Sequence, residues 1–590
     1  MTYRTFQINL KRYIRLLSLI ILGSLCTAVN SEGSLISPKV TITNSETTGL
    51  IDDKSIPVIF FSDLQYAPKT GWKGSDEVGA VVTIWGRNFG EEGQRQDSFV
   101  SVGGIKLTKD RHYLDTWSER SNPVPWLESI TFQLNSNMQE GKRKISLTVD
   151  GIESNSLPFT IGAGNIYYVS ADSALSNTNG SFTKPFHCSD YIEALKPGDI
   201  VYWRGGTYNR QCHGGNAVIW YKKKFPSGTA DKPISLISFP NEEATLDALT
   251  KGHITNFASA VKVKSPYITV AKFKMKATEL GVQGTYHTRF IGNDIEGGKK
   301  FRSGTGIVVL GRDEGKALGN NIHGGRSKDK LDHAVYILGC SSTSTGNEVA
   351  YNYIYDNNFG ALSGVKNTGF AAMIVVNHQS KRCAVNERLL SHRIHNNFIS
   401  CEDYYARGIG IHDLSWDRGE TSQPQPTLVY NNITLNCGVA NAVYAADYAA
   451  AYHDNGNAVF FNNSFLNNHG MGFEMGGGKL NLETQLKNNV FTQLGTEEDC
   501  QDGKPETISH NAYWGCKPWG PNAVMNNPLI TINKAGYDPV TLSPASPLIA
   551  AGDPSVKSVT INNEIFVVVE RDFYGTLRGK DKVSIGAVEP

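Results

Sequence analysis

The sequence predicts an all-β protein whose larger part is a solenoid of stacked strands. Three observations carry this. A short apolar block keeps returning: GIVVLG at 306–311, AVYILG at 334–339, AMIVVN at 372–377, GIGIHD at 408–413, AVYAAD at 442–447 and GMGFEM at 470–475, at spacings of 28, 38, 36, 34 and 28 residues. An Asn-rich block precedes each one, from GNDI at 292 through NNIH at 320, YNYI at 351, NNFI at 396, NNIT at 431 and NNSF at 462; NNVF at 488 and HNAY at 510 follow without a partner. Self-similarity at such a period marks stacked units. The blocks alternate over four to six residues and are rich in β-branched and aromatic side chains, and no 3.6-residue stripe runs for any length, so the units are strands.

The totals set bounds. A chain of 590 residues exceeds one ordinary domain. With 59 glycines and 19% charged residues it favours tight turns over surface helices. A net charge of +1 argues against nucleic acid or an anionic membrane as a whole-protein partner. Lys11, Arg12 and Arg15, then the apolar run 16–25 and small residues, read as an export signal over 1–28. That run is short for a bilayer, so the mature chain is expected to have no membrane span and to be secreted, periplasmic or at the cell surface, as a monomer. Eight of the nine cysteines remain after the leader. An even number in an exported chain suggests disulfides. Spacing does not fix the pairing; sequence neighbours are the simplest choice, namely Cys188–Cys212, Cys340–Cys383, Cys401–Cys437 and Cys500–Cys516. A zinc site is the alternative, and no CxxC pair supports it.

Residues 29–55, rich in Ser, Thr and Asp, read as a linker. From 56 to 162 about seven short strands with turns between them fit a small β-sandwich. Val82-Thr83-Ile84-Trp85-Gly86-Arg87-Asn88-Phe89-Gly90, then Val100-Ser101-Val102-Gly103-Gly104, then a closing strand pair near Phe159 resemble the IPT/TIG immunoglobulin-like domain. The resemblance implies a spacer or docking module. Trp72, Trp85, Trp117 and Trp126 are candidates to stack on sugars or to fill a domain interface.

From Asn165 the texture changes again. A strand at 166–169, a Gly-Ser-x-x-x-Pro-Phe segment at 180–186, a short helix at 189–195 and Pro197-Gly198-Asp199 before a strand into Arg204-Gly205-Gly206-Thr207-Tyr208 resemble the first turn of the pectate-lyase-like right-handed parallel β-helix. SPLIAAGDP at 546–554 and the terminal DFYGTLRGKDKVSIGAVEP resemble its closing segment, so the likeness covers 163–590. The short helix is expected to plug the open end, whose apolar cross-section would otherwise face water. Equivalent turns stack in such a solenoid, and inward asparagines there can bond one another and the backbone. Asn293, Asn321, Asn352, Asn397, Asn432, Asn463, Asn489 and Asn511 are expected to form that ladder, as structural residues.

Strand alternation sorts the recurring block. Its second and fourth residues, Ile307/Val309, Val335/Ile337, Met373/Val375, Ile409/Ile411, Val443/Ala445 and Met471/Phe473, are expected inside. The third and fifth, Val308/Leu310, Tyr336/Leu338, Ile374/Val376, Gly410/His412, Tyr444/Ala446 and Gly472/Glu474, are expected outside. Rows about 4.8 Å apart would bring the polar members into one groove over the third to sixth coils. His412, Tyr444, Arg407, Asp413, Asp447 and Glu474 are the catalytic candidates. Tyr336, His333, His378, Arg418, Tyr448 and His469 are the substrate-binding candidates. His453 and Asp454 are placed in a loop after the fifth block.

A long strip of Tyr, His, Arg and carboxylates suits an extended sugar chain, and the resemblance implies the same, since exported parallel β-helices are mostly polysaccharide lyases and glycoside hydrolases. β-Elimination from a uronic acid needs a base for the C5 proton and a cation to neutralise the carboxylate. His412 or Tyr444 is the candidate base. Arg407, Arg418 or a calcium ion on Asp413 and Asp447 is the candidate neutraliser; no other cofactor is implied. Hydrolysis, the runner-up, needs two carboxyl groups, for which Asp413, Asp447 and Glu474 are placed on successive coils. The Arg-x-Pro-x-x-Arg pattern of pectate lyases is absent, so no catalytic residue carries over from the family. A non-catalytic surface or adhesin stalk would use the same solenoid as a rigid rod, and a uronan epimerase would share the proton abstraction without cleavage.

Overall fold

The strand Val78–Arg87 is buried along almost its whole length, its polar Thr83 and Arg87 included. Two surfaces cover it. Val82 and Ile84 join Phe132, Ile145, Leu147 and Phe159 inside a sandwich. On the other face Thr83 accepts a hydrogen bond from Lys272 (3.0 Å), and Arg87 pairs with Asp538 and lies over the Tyr537 ring. The computed structural model describes residues 55–90, 97–107, 113–117, 124–172, 175–213, 215–222, 225–249, 258–277, 280–284, 286–298, 306–311, 314–327, 333–338, 346–359, 372–378, 392–401, 406–413, 427–438, 451–454, 458–469, 472–475, 484–494, 501–502, 505, 507–534, 536–556, 558–561, 564–567 and 569–590. Among them no helix is long and apolar enough to cross a membrane. The expected leader and most of the linker lie outside these residues.

The sandwich has a four-stranded sheet in the order Val58–Ser62, Val78–Arg87, Glu128–Asn135, Tyr113–Trp117. It packs on a six-stranded one in the order Tyr66–Ala67, Leu157–Ile161, Gly141–Val149, Phe99–Val102, Ile105–Lys106, with Ile152–Glu153 beside Gly141–Val149. Trp72, Trp85 and Trp126 are buried, so they do not present rings to sugars. Trp72 stacks on Phe239 and meets Tyr202 edge-on, and Trp126 meets Phe398 and Phe573. The buried Arg289 guanidinium donates to the backbone oxygens of Ser62 and Asp63 (2.9 and 3.0 Å). The sandwich is thus bonded along the flank of the solenoid.

The solenoid is a parallel β-helix of three sheets with 13, 11 and 10 strands. The expected end plug is a short 3-10 helix, Cys188–Ala194, whose Tyr191 and Ile192 are buried and whose Tyr191 ring meets Trp203. Cys188–Cys212 and Cys401–Cys437 are disulfides, the expected neighbours; Cys516 is also disulfide-bonded, while Cys340, Cys383 and Cys500 lie outside the described residues. Cys401–Cys437 spans 36 residues of sequence. Loop-closure entropy then predicts that Cys401→Ser/Cys437→Ser lowers stability by about 3–4 kcal/mol, read from denaturant midpoints.

The asparagine ladder exists and is continuous. The main-chain N–H and the side-chain Nδ2 of Asn293 both donate to Asn320 Oδ1 at 3.0 Å. The same double bond repeats from Asn320 through Asn352, Asn397, Asn432, Asn463 and Asn489 to Asn511. One expected member is wrong: Asn320, not Asn321, takes the rung. The residue before each rung has positive φ, as at Asn396 (50°), Asn431 (51°) and Asn462 (53°), a conformation that Asn and Gly tolerate best. Gly319 (63°) fills that place in its coil, so the first Asn of GNN becomes the rung and the second is released. The leading asparagines have their own use. Asn396, Asn431 and Asn462 donate outward to backbone oxygens of Phe573, Arg571 and Ser584, tying the C-terminal segment along the flank.

Beside that segment Glu348 accepts from Lys316 (2.8 Å), Arg393 (3.2 Å) and His395 (3.2 Å). Burial raises its pKa, but the neighbouring Lys316, Arg393 and His395 outweigh it and hold the carboxyl well below the ordinary range. A depressed carboxylate stabilises the fold above its unfolded pKa and loses that contribution as pH falls through the folded one. Glu348→Gln is therefore expected to cost about 2 kcal/mol at neutral pH and less as pH falls below about 4, measured as denaturant midpoints against pH.

Candidate functional site

The third sheet carries the recurring blocks, and its register decides what they bring together. Gly306–Leu310, His333–Ile337, Ala372–His378, Arg407–Asp413, Ala451–Asp454, Phe473–Met475 and Gln501–Asp502 are successive strands. Val308 pairs with Val335, Ile374 and Ile409 in an inward row, and the register runs on through Ala451 to the buried Phe473. Next to it runs Val309, Tyr336, Val375, Gly410, Tyr452, Glu474 and Asp502. Val309, Tyr336 and Val375 form a small cluster of their own with Ala372 and Leu338, apart from the interior, so in these coils the row faces out.

The expected sidedness therefore holds for Tyr336, Ile409 and Ile411 and fails in the coils of GIVVLG and AMIVVN. Val309 and Val375 are outside; Val308, Leu310, Ile374 and Val376 are inside. In these coils two consecutive residues, Ile307 and Val308 or Met373 and Ile374, both enter the core, so the alternation slips by one at the start of the strand. Gly306 pairs with His333, not with Ala334.

A second correction concerns the fifth coil. The strand between Arg407–Asp413 and Phe473–Met475 is Ala451–Asp454. Tyr452 takes the place expected for Tyr444, and Asp454 pairs with His412 in the ladder, where a loop was expected. Tyr444, Asp447, Tyr448 and Arg418 lie outside the described residues. Sequence reasoning missed the strand positions of Tyr452 and Asp454, and it missed Asn377 and Asp502. The signal for the first two was present: AYHD opens on Ala and alternates like the other blocks, though at a longer spacing.

Beyond the outward row a further one contains Asn377, His412 and Asp454, and His378 pairs with Asp413. For His378, His412 and Asp413 the structure describes the backbone. Arg407 is only 3% exposed, and its guanidinium reaches across the intervening strand to Glu474 (3.5 Å), itself 13% exposed. His333 is buried beside Tyr336, with ring centres 5.5 Å apart, and its Nδ1 lies 3.1 Å from both the N–H and the carbonyl oxygen of Ala372. The structure thus brings His333, Tyr336, Arg407 and Glu474 to one face. It does not bring His469 there, since its N–H continues the ladder of the second sheet to Cys437 (3.1 Å). Among the described residues no group of three or more His, Cys, Asp or Glu is arranged to hold a metal ion.

No family model and no curated protein matches this chain. Among solved structures it is similar to pectate lyase Pel9A, at 13% identity, over 72% of this chain and 96% of that one, with a TM-score of 0.44. It is similar to XylC in complex with xylose, at 11% identity, over 72% and 98%, with a TM-score of 0.41. It is also similar to the alginate lyase from Paenibacillus sp. str. FPU-7, at 17% identity, over 61% and 91%, with a TM-score of 0.27.

Proposed function

We propose that the protein is an exported carbohydrate-active enzyme that cleaves a uronic-acid-containing polysaccharide by β-elimination in the groove over the third sheet. One observation carries the reading: the register sets Arg407, His412, Tyr452, Asp454 and Glu474 on three successive strands. His412, two residues beyond the outward Gly410, removes the C5 proton, and Asp454 on the next strand stabilises the imidazolium that forms. The released electron pair becomes the C4–C5 double bond, and the glycosidic oxygen leaves with a proton from Tyr452. Arg407, held by Glu474, supplies positive charge against the substrate carboxylate. The disulfides suit an oxidising compartment, and the sandwich serves as an immunoglobulin-like brace of the IPT/TIG type. Hydrolysis is the second reading, favoured by Glu474 lying directly opposite Asp502 and diagonal to Asp454.

The test is incubation with acidic and neutral polysaccharides, with and without a calcium chelator. Ultraviolet absorbance of unsaturated ends rising together with reducing ends supports elimination. Reducing ends alone move the assignment to hydrolysis, altered C5 configuration without cleavage to epimerisation, and no change across the panel to a stalk. Loss of turnover in chelator alone would assign the neutralising charge to calcium.

A further inference from the structure

Away from the groove, a cleft of about 590 Å3 opens between the sandwich and the solenoid. Thr83, Trp85 and Thr131 line it from the sandwich; Lys272, Asp294 and Asn321 line it from the solenoid. This volume lies within the range of pockets that hold small organic ligands. Asn321 is the residue released from the ladder by Gly319. It is 7% exposed, its Nδ2 donates to Asp294 Oδ1 (2.7 Å), and its Oδ1 accepts no hydrogen bond from the protein. A buried acceptor in that condition is unfavourable until a donor arrives. Asp294 also accepts from His323 Nε2 (3.0 Å), and His323 stacks with Tyr355 at a ring separation of 5.3 Å. Burial raises the Asp294 pKa, but the bonds from His323 and Asn321 outweigh it, so the carboxyl stays ionised and accepting.

The charges of the wall are matched within it. Lys272 pairs with Asp63 (3.1 Å), Lys274 with Glu243 (3.4 Å) and Arg204 with Glu242 (2.7 Å). What the cleft offers is a carboxylate and an amide oxygen as acceptors beside two threonine hydroxyls. A polyanion would meet Asp294 at like charge, and the wall's cations Lys272 and Lys274 already have carboxylate partners. Neutral sugars bring rows of hydroxyl donors and no charge.

We propose that this cleft binds neutral sugar residues of a polysaccharide, as a holding site separate from the cleaving groove. It rests on the reading of the protein as carbohydrate-active. The experiment is native affinity electrophoresis of the full chain in gels containing arabinoxylan, β-glucan or galactomannan, run beside the uronan-cleavage assay. Retardation by at least one of these glycans is expected, weakened about tenfold in Asp294→Ala and in Asn321→Ala, unchanged in His412→Ala, with cleavage of short uronans unchanged in the first two. Both cleft variants must melt with the wild type, and Asn321 lies outside the ladder, so it serves if Asp294→Ala unfolds. Retardation equal in wild type and both cleft variants, or absent on all three glycans while uronans are still cleaved, overturns the cleft and leaves the groove. Retardation that depends on Asp294, in a protein that cleaves no uronan, upholds the cleft and removes the groove reading.

Discussion

His412→Ala is expected to lower the rate of polysaccharide cleavage by about two to four orders of magnitude, the usual contribution of a positioned general base. The denaturant midpoint should stay near that of the wild type, because the proposal places the residue in the groove and not among the core side chains. The proposal gives Asp454 a dependent role, so Asp454→Ala should also slow cleavage, and the double variant should fall short of the product of the two effects. His412→Ala with full activity would remove it from the mechanism, and with it the reading that the ladder pair His412 and Asp454 is the chemical centre.

Asn397→Ala is expected to destabilise the protein by about 3–5 kcal/mol, the sum of several small losses. Asn397 Oδ1 accepts both the N–H (3.1 Å) and the Nδ2 (2.9 Å) of Asn352, and its own Nδ2 donates to Val349 O, His395 O and Asn432 Oδ1. All are buried, so alanine leaves donors and acceptors unmet on both sides of the rung with no water to replace the partner. Asn321→Ala, a change of the same size in the same motif, should cost less than about 1 kcal/mol because Asn321 holds no rung. Equal losses in the two variants, measured by denaturant unfolding, would show that the ladder is not what makes Asn397 matter.

Those two asparagines mark how far the sequence could be read. Periodicity of 28 to 38 residues was enough for a parallel solenoid, and the position of seven of its eight rungs followed from the Asn-rich blocks alone. Asn320 escaped because the rung is defined by the residue before it. Gly319 and Asn396 are interchangeable at positive φ, and counting asparagines does not see that. The groove was legible in outline and wrong in register. Small residues at the head of each block suggested an alignment, but hydrogen bonds align strands by their backbones, and Gly306 faces His333. The repeat spacing likewise points to AVYAAD for the fifth coil, whereas AYHD forms the strand there, because loop length is free to vary while the strand order is not. The sandwich was legible as a sandwich. Its attachment was not, since a row such as Thr83, Trp85, Arg87 differs little from an exposed face until its partners Lys272, Gly292 and Asp538 are known.

That attachment changes how the long body should come apart. Arrays held only by neighbour contacts peel from their ends, coil by coil. Here the lateral module grips Tyr202, Arg289, Tyr351 and Phe398, which belong to coils spread over much of the winding. Losing any one of these coils would strip the module of an anchor, so fraying is penalised together over the coils from Tyr202 to Phe398 and that length melts as one block.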